Sequence, residues 1–521
     1  GKNNTAVGGN ALLLNTTGSS NTAVGTAALD ANTTSSNNTA VGKDALYVNT
    51  TGSSNTALGT NALLDNTTGG ENTVCGAFSL RNNTTGESNF AGGFQALQAN
   101  TTGSNNVGIG RLALYANTTG VNNISVGKDS LKANTTASNN TAVGKSALNA
   151  NTTGHGNIGI GNSALAANTT GISNVAVGYL AADAQAGNAN YNVAIGAEAL
   201  STNTLGSQNV AIGRSALIAF NVTSAAATYN TAVGDQAGAA VTTGTKNTFV
   251  GAQAGDANTT ASDNSAFGYA SLGANTTGTG NNAFGLQSLD ANTTGNYNTA
   301  FGHVAMTTNI TGTDNTGFGS QVLYSVTGSS NTALGSAAGY AISSGSNNLV
   351  LGRDAGRTGS PGGNFTTVSN VMCLGDENMS ACNIQTDWTV ASDQRDKTDF
   401  TALDLGLDFV KALAPVTYKW DKRSKYGNKK ADDYDLLDQT PDGTHKEDWL
   451  DIGFKAQEVE ALEIAAGYNK SNKTNLTTSL TGDGKQYGIQ YSKFVPILVK
   501  AIQEQNALIE ALTARITTLE G

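Results

Sequence analysis

Residues 21–37 read Asn-Thr-Ala-Val-Gly-Thr-Ala-Ala-Leu-Asp-Ala-Asn-Thr-Thr-Ser-Ser-Asn, and the same opening motif begins again at the next residue. Variants of this five-residue motif occur twenty-one times between Asn4 and Gly352, usually at a spacing of 17 residues. A fixed period of this length is the signature of a solenoid, in which each repeat forms one coil. The sequence therefore predicts a repetitive, mainly β shaft over residues 1–352.

The residues of one repeat suggest how a coil closes. The third place of the motif is small and the fourth is apolar, as in Val24, Leu58 and Phe267. A strand directs these two side chains to opposite faces, so we expect the fourth place to fill a core and the third to allow close approach of neighbouring chains. A second apolar pair, Ala28-Leu29 in this repeat, precedes a turn such as Asn-Thr-Thr-Gly at 66–69. We therefore expect two short strands and two turns per coil.

The thinness of a 17-residue coil predicts that several chains associate. Stacked coils cover one another along the axis, but the face lined by small third-place residues needs lateral neighbours. We therefore expect a homotrimeric parallel β-solenoid, on the order of 100 Å long at about 4.8 Å per coil. The first proline of the chain is Pro361, as expected if every earlier coil donates backbone N–H groups to its neighbour.

The motif followed by a small-Leu pair resembles the head repeat of the YadA-type trimeric adhesins over roughly residues 1–352. The resemblance implies a left-handed parallel β-roll of three intertwined chains. Between residues 180 and 230 the spacing lengthens to 18 and then 21 residues. We expect bulged loops at 182–190 and 220–229, which are candidate contact sites, with neutral drift in loop length as the alternative.

The recurring asparagines have two interpretations. Asn-Thr-Thr matches the acceptor of N-glycosylation, but stacked side-chain amides that hydrogen-bond along the shaft explain the same residues. We favour the amide ladder, because glycosylation has no reason to follow the coil period. The acidic residues of the shaft are scattered over turns and predict no convergent catalytic pair such as a glycosidase needs. The asparagines include Asn15, Asn32, Asn49 and Asn66, and the acidic residues include Asp30, Asp65, Asp256, Asp290 and Asp314.

Composition excludes several classes of partner. The chain has 521 residues, a net charge of −10 and only 13% charged residues, which argues against nucleic acid and anionic membranes as partners. No stretch approaches the roughly 20 apolar residues of a membrane span, so we expect no membrane insertion. The three histidines, His155, His303 and His445, lack metal-ligand spacing, and we expect neither a metal nor a cofactor.

The cysteines and the start of the chain support two smaller inferences. Cys75, Cys373 and Cys382 form no disulfide framework, although Cys373 and Cys382 either pair across a turn or remain unpaired thiols. The repeat is already in phase at Gly1 and no signal peptide precedes it, so we expect the chain to be part of a longer protein.

A different sequence pattern begins after the shaft. Residues 389–397 read Thr-Val-Ala-Ser-Asp-Gln-Arg-Asp-Lys, which resembles the start of the endosialidase-type intramolecular chaperone, peptidase family S74, with its Ser-Asp-x-Arg-x-Lys hallmark. Motifs at 405–420, 452–459, 491–496 and 501–504 follow the order of that family. The resemblance implies a domain that trimerises, guides the preceding β-fibre into register and then cuts itself off. It assigns Ser392 as nucleophile, Lys397 as base and the bond between Ala391 and Ser392 as the one cleaved.

The residue types of this motif suit that chemistry. A serine hydroxyl attacks poorly at neutral pH unless a base takes its proton, and a lysine held away from water can act as that base. We expect a single-turnover autoproteolysis by Ser392 and Lys397, with no activity on an external substrate. The last segment carries apolar residues in steps of four and three, which predicts a coiled-coil helix that faces partner helices. This seam comprises Leu498, Ile502, Gln505, Ile509, Leu512, Ile516 and Leu519.

The sequence thus predicts three regions: a solenoid shaft at 1–352, a connector at 353–391, and a small α+β chaperone domain at 392–521 that ends in a long coiled-coil helix. The function that fits is a trimeric phage tail fibre or tailspike, located in the virion, that contacts a host-cell surface receptor, with glycans among the candidates. The alternative is a YadA-like adhesin on a bacterial cell surface that carries the same chaperone.

Overall fold

A computed structural model describes residues 1–385, 389–428, 433–471 and 474–521. The chain forms two compact units, Gly1–Asn315 and Thr316–Gly521. Short parallel strands dominate the first unit, whereas the second also contains three α-helices. The mainly β fold class expected from the repeat is therefore confirmed.

The first unit is a parallel β-solenoid in which each regular coil contributes one three-residue strand. Strands of successive coils pair in register, so that Thr22–Val24 lies opposite Thr39–Val41. Two dipeptide strands, β13 and β15, pair with each other. In chain order, β1 to β20 are Thr5–Val7, Thr22–Val24, Thr39–Val41, Thr56–Leu58, Thr73–Cys75, Phe90–Gly92, Val107–Ile109, Ile124–Val126, Thr141–Val143, Ile158–Ile160, Val175–Val177, Val193–Ile195, Gly206–Ser207, Val210–Ile212, Ala226–Ala227, Thr231–Val233, Thr248–Val250, Ser265–Phe267, Asn282–Phe284 and Thr299–Phe301.

The third place of the motif points into the coil, and the fourth points outward. Ala23 and its counterparts are fully buried, whereas Val41 is 37% exposed and Phe301 is 51% exposed. The expectation that the fourth place fills the core was wrong, because the interior of one coil is too narrow. At Gly108, for example, a Cβ atom would already stand 3.2 Å from Leu97 Cδ1. The fourth-place side chains instead form an outward apolar row, here called the outer ladder, in which Phe267 and Phe284 stack with ring centroids 4.7 Å apart.

The second apolar pair of each coil does not form a strand. Leu29 is fully buried, but its backbone is left-handed with φ +54°, and its N–H donates to the Ala45 carbonyl of the next coil at 3.0 Å. The two-strand expectation was therefore wrong. A left-handed leucine costs about 1–2 kcal/mol, and burying its side chain gains about 1.5–3 kcal/mol. The free energy gained by burying the side chain thus offsets the cost of a left-handed backbone that leucine disfavours.

The buried asparagines form two amide ladders along the first unit, as predicted. In the turn ladder, Asn66 Nδ2 donates to Asn49 Oδ1 at 2.8 Å and to the Gly69 carbonyl at 2.9 Å. In the motif ladder, the backbone N–H of Asn38 donates to Asn21 Oδ1 at 2.9 Å. These amides are buried and already bonded, which leaves no room for a sugar on Asn32, Asn49 or Asn66; Asn15 is half-buried at the start of the turn ladder.

The two irregular coils behave differently from each other. The single extra residue at 182–190 is absorbed inside the coil, because Gln185 takes the ladder place and its longer side chain donates to the Ala189 carbonyl at 2.8 Å. Ala182, Gln185 and Ala189 are buried, so the expected bulge at this place was wrong. The 21-residue coil does form a loop: Phe220 is buried at the ladder place, and most of 221–227 is exposed.

The second unit begins with four solenoid strands, β21 to β24, of which the last lies beyond Gly352 in the segment expected to be a connector. Leu349 pairs with Met372 across a longer coil. Two antiparallel pairs and three α-helices follow. The strands β21 to β28 are Thr316–Phe318, Thr332–Leu334, Leu349–Leu351, Met372–Leu374, Val416–Tyr418, Asp451–Gly453, Thr478–Leu480 and Tyr487–Ile489, and the helices α1 to α3 are Leu407–Ala412, Ala456–Ala465 and Phe494–Glu520.

A small apolar core holds the three helices together. It comprises Leu405, Phe409, Val459, Phe494 and Ile497. The buried carboxylate of Glu463 on α2 accepts hydrogen bonds from the backbone N–H groups of Leu476 and Thr477 and from the hydroxyls of Thr477 and Thr478, which fastens β27 to the helix. Within the described ranges, no helix combines the length and apolar character required to cross a membrane.

Candidate self-cleavage site

The Ser-Asp-x-Arg-x-Lys motif forms one turn of 3-10 helix, Gln394–Asp396. Asp393 caps this turn, since its Oδ1 accepts a hydrogen bond from the Arg395 N–H at 2.9 Å. The guanidinium of Arg395 also contacts the same carboxylate, with Nη2 2.6 Å from Oδ2. These hydrogen bonds from Arg395, the side-chain bond first, lower the pKa of Asp393. The ionised cap therefore holds the turn, and with it the residues on either side.

The turn brings Ser392 and Lys397 together. Lys397 Nζ donates to Ser392 Oγ at 2.5 Å, and it lies 3.4 Å from the Ser392 carbonyl oxygen. The backbone N–H of Lys397 donates to the Gln394 carbonyl at 3.2 Å, which closes the turn. A hydroxyl in direct contact with an amine is the geometry that a nucleophile and its base require. The catalytic roles of the two residues, and the cleavage of the bond at Ala391, stay predictions.

The reacting groups at this site are more exposed to water than the predicted chemistry requires. Ala391, Ser392 and Lys397 are all exposed in the single chain. A lysine acts as a base only when water is kept from it. The chain places the reacting groups side by side, and a surface that excludes water from them must come from elsewhere.

The remaining motifs of the C-terminal segment build a frame. Phe454 follows β26, and its ring lies 5.4 Å from that of Phe494 at the start of α3. The Phe454 N–H donates to the Tyr491 hydroxyl at 3.3 Å. Glu504 on α3 accepts a hydrogen bond from the first N–H of α1, that of Leu407, at 2.7 Å. These motifs therefore meet around the helical core, and not around Ser392.

Comparison with known proteins identifies the part of this frame that contains α1 and α2. Residues 392–468 match the family model described as chaperone of endosialidase. The chain carries a chaperone-of-endosialidase domain. No curated protein and no solved structure gives a significant match. A long β-solenoid with this chaperone domain at its C-terminal end fits a tail fibre-like protein.

The predicted coiled-coil seam lies on the exposed face of α3, beyond the residues that match the family model. Its six apolar members are at least 43% exposed, and Leu519 reaches 79%. Gln505, the polar member, is exposed as well. By contrast, Phe494, Ile497 and Ala501 at the start of α3 are buried against the core. The helix therefore presents a second apolar face for which the chain itself supplies no cover among the described residues.

Several features of the second unit had no signal in the sequence. A cavity of about 920 Å³ is lined by aromatic side chains, including Tyr418, Trp420, Trp449, Tyr487 and Tyr491. Lys422 donates to the Glu377 carbonyl at 3.0 Å, and Asp483 Oδ2 accepts from the Asn364 N–H at 2.9 Å. These contacts join residues 45 and 119 positions apart, which no periodicity can reveal.

The cysteines and acidic residues have no role at this site. Cys75, Cys373 and Cys382 are all unpaired, and burial raises the pKa of Cys373. Asp256 and Asp290 approach the backbone of Gly273 from the coils on either side, and burial raises the pKa of both carboxyls. Within the part of the chain that the structure describes, no three His, Cys, Asp or Glu side chains are grouped to hold a metal ion.

Proposed function

We propose that three copies of this chain form a phage tail fibre that attaches the virion to a host-cell surface. The chaperone domain directs the assembly of the three shafts and then detaches by cutting the bond between Ala391 and Ser392. The observation that carries the proposal is the pair of exposed apolar surfaces, the outer ladder and the α3 seam, on a chain that carries a chaperone domain.

The outer ladder supports association along the shaft. Its side chains recur in nearly every coil, with Cys75 and Gly92 as the exceptions, so that the apolar surface forms long rows and is not scattered as on an ordinary monomer. Phe284 stacks on Phe301 with ring centroids 5.4 Å apart, which makes a flat aromatic strip at this end of the first unit. A second copy with the same strip is the partner that matches it in period and in chemistry.

The α3 seam supports association of the chaperone domains. Apolar residues at heptad spacing bury themselves when two or more such helices wrap around one another. Association would also place a neighbouring chain beside the exposed Ser392 and Lys397. This supplies the exclusion of water that the single chain lacks.

The cleavage itself needs only atoms that the chain and water provide. Ser392 Oγ attacks the carbonyl carbon of Ala391 while Lys397 accepts the hydroxyl proton. The Ala391–Ser392 C–N bond breaks, and the leaving nitrogen takes that proton to become an amine. Water then hydrolyses the ester that joins the Ala391 acyl group to Ser392 Oγ, which restores the hydroxyl and leaves a carboxylate on Ala391.

Sedimentation of two variants tests the assembly. Phe284→Asp places a charge in the outer ladder, where Phe284 is half-buried, whereas Leu286→Asp places the same charge on an exposed side chain outside the ladder. A buried unpaired charge costs about 3–5 kcal/mol, so we expect Phe284→Asp to weaken the trimer and Leu286→Asp to leave it intact. A wild-type monomer at micromolar concentration would contradict the proposal.

A further inference from the structure

The residue that precedes each motif asparagine forms a column along the shaft, here called the pre-motif column. Its members are exposed, and most have left-handed backbones, which small polar residues tolerate best. The column holds such residues over the first half of the shaft. They include Asn37 at φ +63°, Ser54 at +60°, Ser88 at +55°, Asn105 at +58°, Asn122 at +57° and Asn139 at +62°.

Three tyrosines depart from this rule: Tyr297, at φ +56° and 65% exposed, and two that lie beside the irregular coil. Tyr191 and Tyr229 take the same place with φ of +57° and +54°, and they are 54% and 53% exposed. A bulky residue in this backbone region is strained, and an exposed ring gains little burial in return. Gln208 occupies the coil between them, which sets the tyrosines two coils apart, about 10 Å along the shaft.

The inserted loop is fixed beside these side chains. Its end, Ala226–Ala227, pairs with Gly206–Ser207 of the preceding coil. Thr228 Oγ1 lies 3.1 Å from the Ser207 carbonyl oxygen and 2.9 Å from Asn209 Oδ1, which holds the loop where it rejoins the regular coil. Tyr191, Gln208 and Tyr229, together with the insertion at 221–227, therefore form one surface, here called the tyrosine shelf.

The shelf is uncharged, although the chain as a whole is acidic. No charged residue occurs between Arg214 and Asp235, and these two are paired with each other at 2.8 Å. The charged residue next to the shelf in the pre-motif column is Lys246, one coil beyond Tyr229. The groups on offer are two aromatic rings, a side-chain amide and the hydroxyls of the insertion. Tyrosine combines an apolar face with a polar tip, so the rings suit the apolar faces of sugars, and the amide and hydroxyls suit their hydroxyl groups.

We propose that the tyrosine shelf binds an uncharged glycan chain that lies along the shaft, an inference that rests on the proposed attachment function. The ligand class follows from the surface: aromatic platforms at a fixed spacing, neutral hydrogen-bonding groups between them, and no ion pair left open for an acidic or basic partner. A chain of sugars along the shaft would cover Tyr191, Gln208 and Tyr229 in succession.

The test uses the assembled full-length protein and an array of immobilised bacterial polysaccharides, both neutral and acidic. Tyr191→Ser/Tyr229→Ser removes both rings and inserts a residue that the pre-motif column already accepts. Tyr179→Ser/Tyr269→Ser removes two rings of equal exposure, 54% and 53%, from outside that column. We expect the first variant to bind a neutral polysaccharide about tenfold or more weakly, and the second to bind it within about twofold of the wild type.

Four outcomes separate the inference from the attachment function. Equal binding by Tyr191→Ser/Tyr229→Ser and the wild type would overturn the tyrosine shelf as a binding site. Altered sedimentation of the same variant would also overturn it, because the tyrosines would then belong to contacts between chains. Binding to bacterial envelopes that survives periodate but not protease would overturn the glycan while leaving attachment in place. Failure of the wild type to bind any envelope in a broad panel would overturn attachment itself.

Discussion

The coils of the first unit and the chaperone domain differ in how much of their apolar surface a single chain buries. In the coils, one chain buries its alanines and its asparagine amides by contact with its own neighbours 17 residues away. In the chaperone domain, the core is small, and the contact that caps α1 spans the 97 residues between Leu407 and Glu504. The α3 seam stays exposed. The coils are thus nearly complete within one chain, whereas the chaperone domain has much of its apolar surface uncovered.

If three chains assemble as proposed, the difference explains why the shaft would need a chaperone. Every regular coil presents almost the same strand, so a pairing between chains that slips by one coil would keep nearly all its contacts. A repetitive surface specifies its register weakly, and several alignments then have similar energies. The chaperone domain does not repeat, and its contacts have one solution. It can therefore set an alignment that the coils then propagate from neighbour to neighbour.

The largest effect we expect separates cleavage from assembly. Ser392→Ala removes the nucleophile, and Lys397→Ala removes the amine that contacts it at 2.5 Å. Either change should slow release of residues 392–521 by at least about 10³-fold, because a nucleophile and its base act as a unit. Neither side chain belongs to the core of the domain, so the trimer should still form. Intact-mass spectrometry measures the cut, and sedimentation measures the assembly.

Thr398→Ala is the matched control, since Thr398 is a neighbouring exposed hydroxyl that bonds to Asp399 and not to the dyad. It should cleave like the wild type. Loss of the trimer in Ser392→Ala would mean that the serine is structural. A wild-type chain that remains uncut after long incubation at neutral pH would show that the contact between the two side chains does not suffice for cleavage.

How much of the fold could be predicted follows from the same contrast. The solenoid, the amide ladders and the contact between Ser392 and Lys397 could be predicted because each depends on residues at short or constant separations. Which face of each strand points into the coil could not be predicted, because the alternation of side chains defines two faces but does not say which one is buried. The width of the coil decides which face is buried, because Leu97 approaches Gly108 so closely that only a small residue fits there. The left-handed backbone of Leu29 was missed because burial overrides the local preference of leucine.

A smaller effect should come from breaking one rung of the shaft. Asn66→Ala removes the Nδ2 hydrogen bonds to Asn49 Oδ1 and the Gly69 carbonyl, and it leaves Asn83 Nδ2 with the Gly86 carbonyl in place of two acceptors. Orphaned buried groups cost about 1–3 kcal/mol each. Because a solenoid couples nearest neighbours, hydrogen exchange should quicken in the coils next to residue 66 and remain unchanged several coils away.

Thr85→Ala serves as the control for that rung, because Thr85 is exposed in the adjacent Asn-Thr-Thr-Gly turn. It should alter exchange by less than about 0.5 kcal/mol. Faster exchange along the whole shaft after Asn66→Ala would show that the coils unfold as one cooperative body. In that case the contrast with the chaperone domain would be one of composition and not of cooperativity.

The smallest effect concerns pH and the contact that spans the chaperone domain. The Leu407 N–H, with a smaller contribution from Lys500, lowers the pKa of Glu504 below its ordinary value of 4.5. A lowered folded-state pKa adds stability at pH values above the ordinary one, and that stability is lost as the pH falls through the folded-state value.

Tryptophan fluorescence follows this region, because all three tryptophans lie after residue 387. The urea midpoint should therefore fall as the pH drops below about 4.5, and Glu504→Gln should lose part of that dependence. Glu510→Gln makes the same charge change on an exposed part of α3 and should retain it. An identical pH dependence in Glu504→Gln and the wild type would mean that the bond to α1 contributes nothing to the stability of the domain.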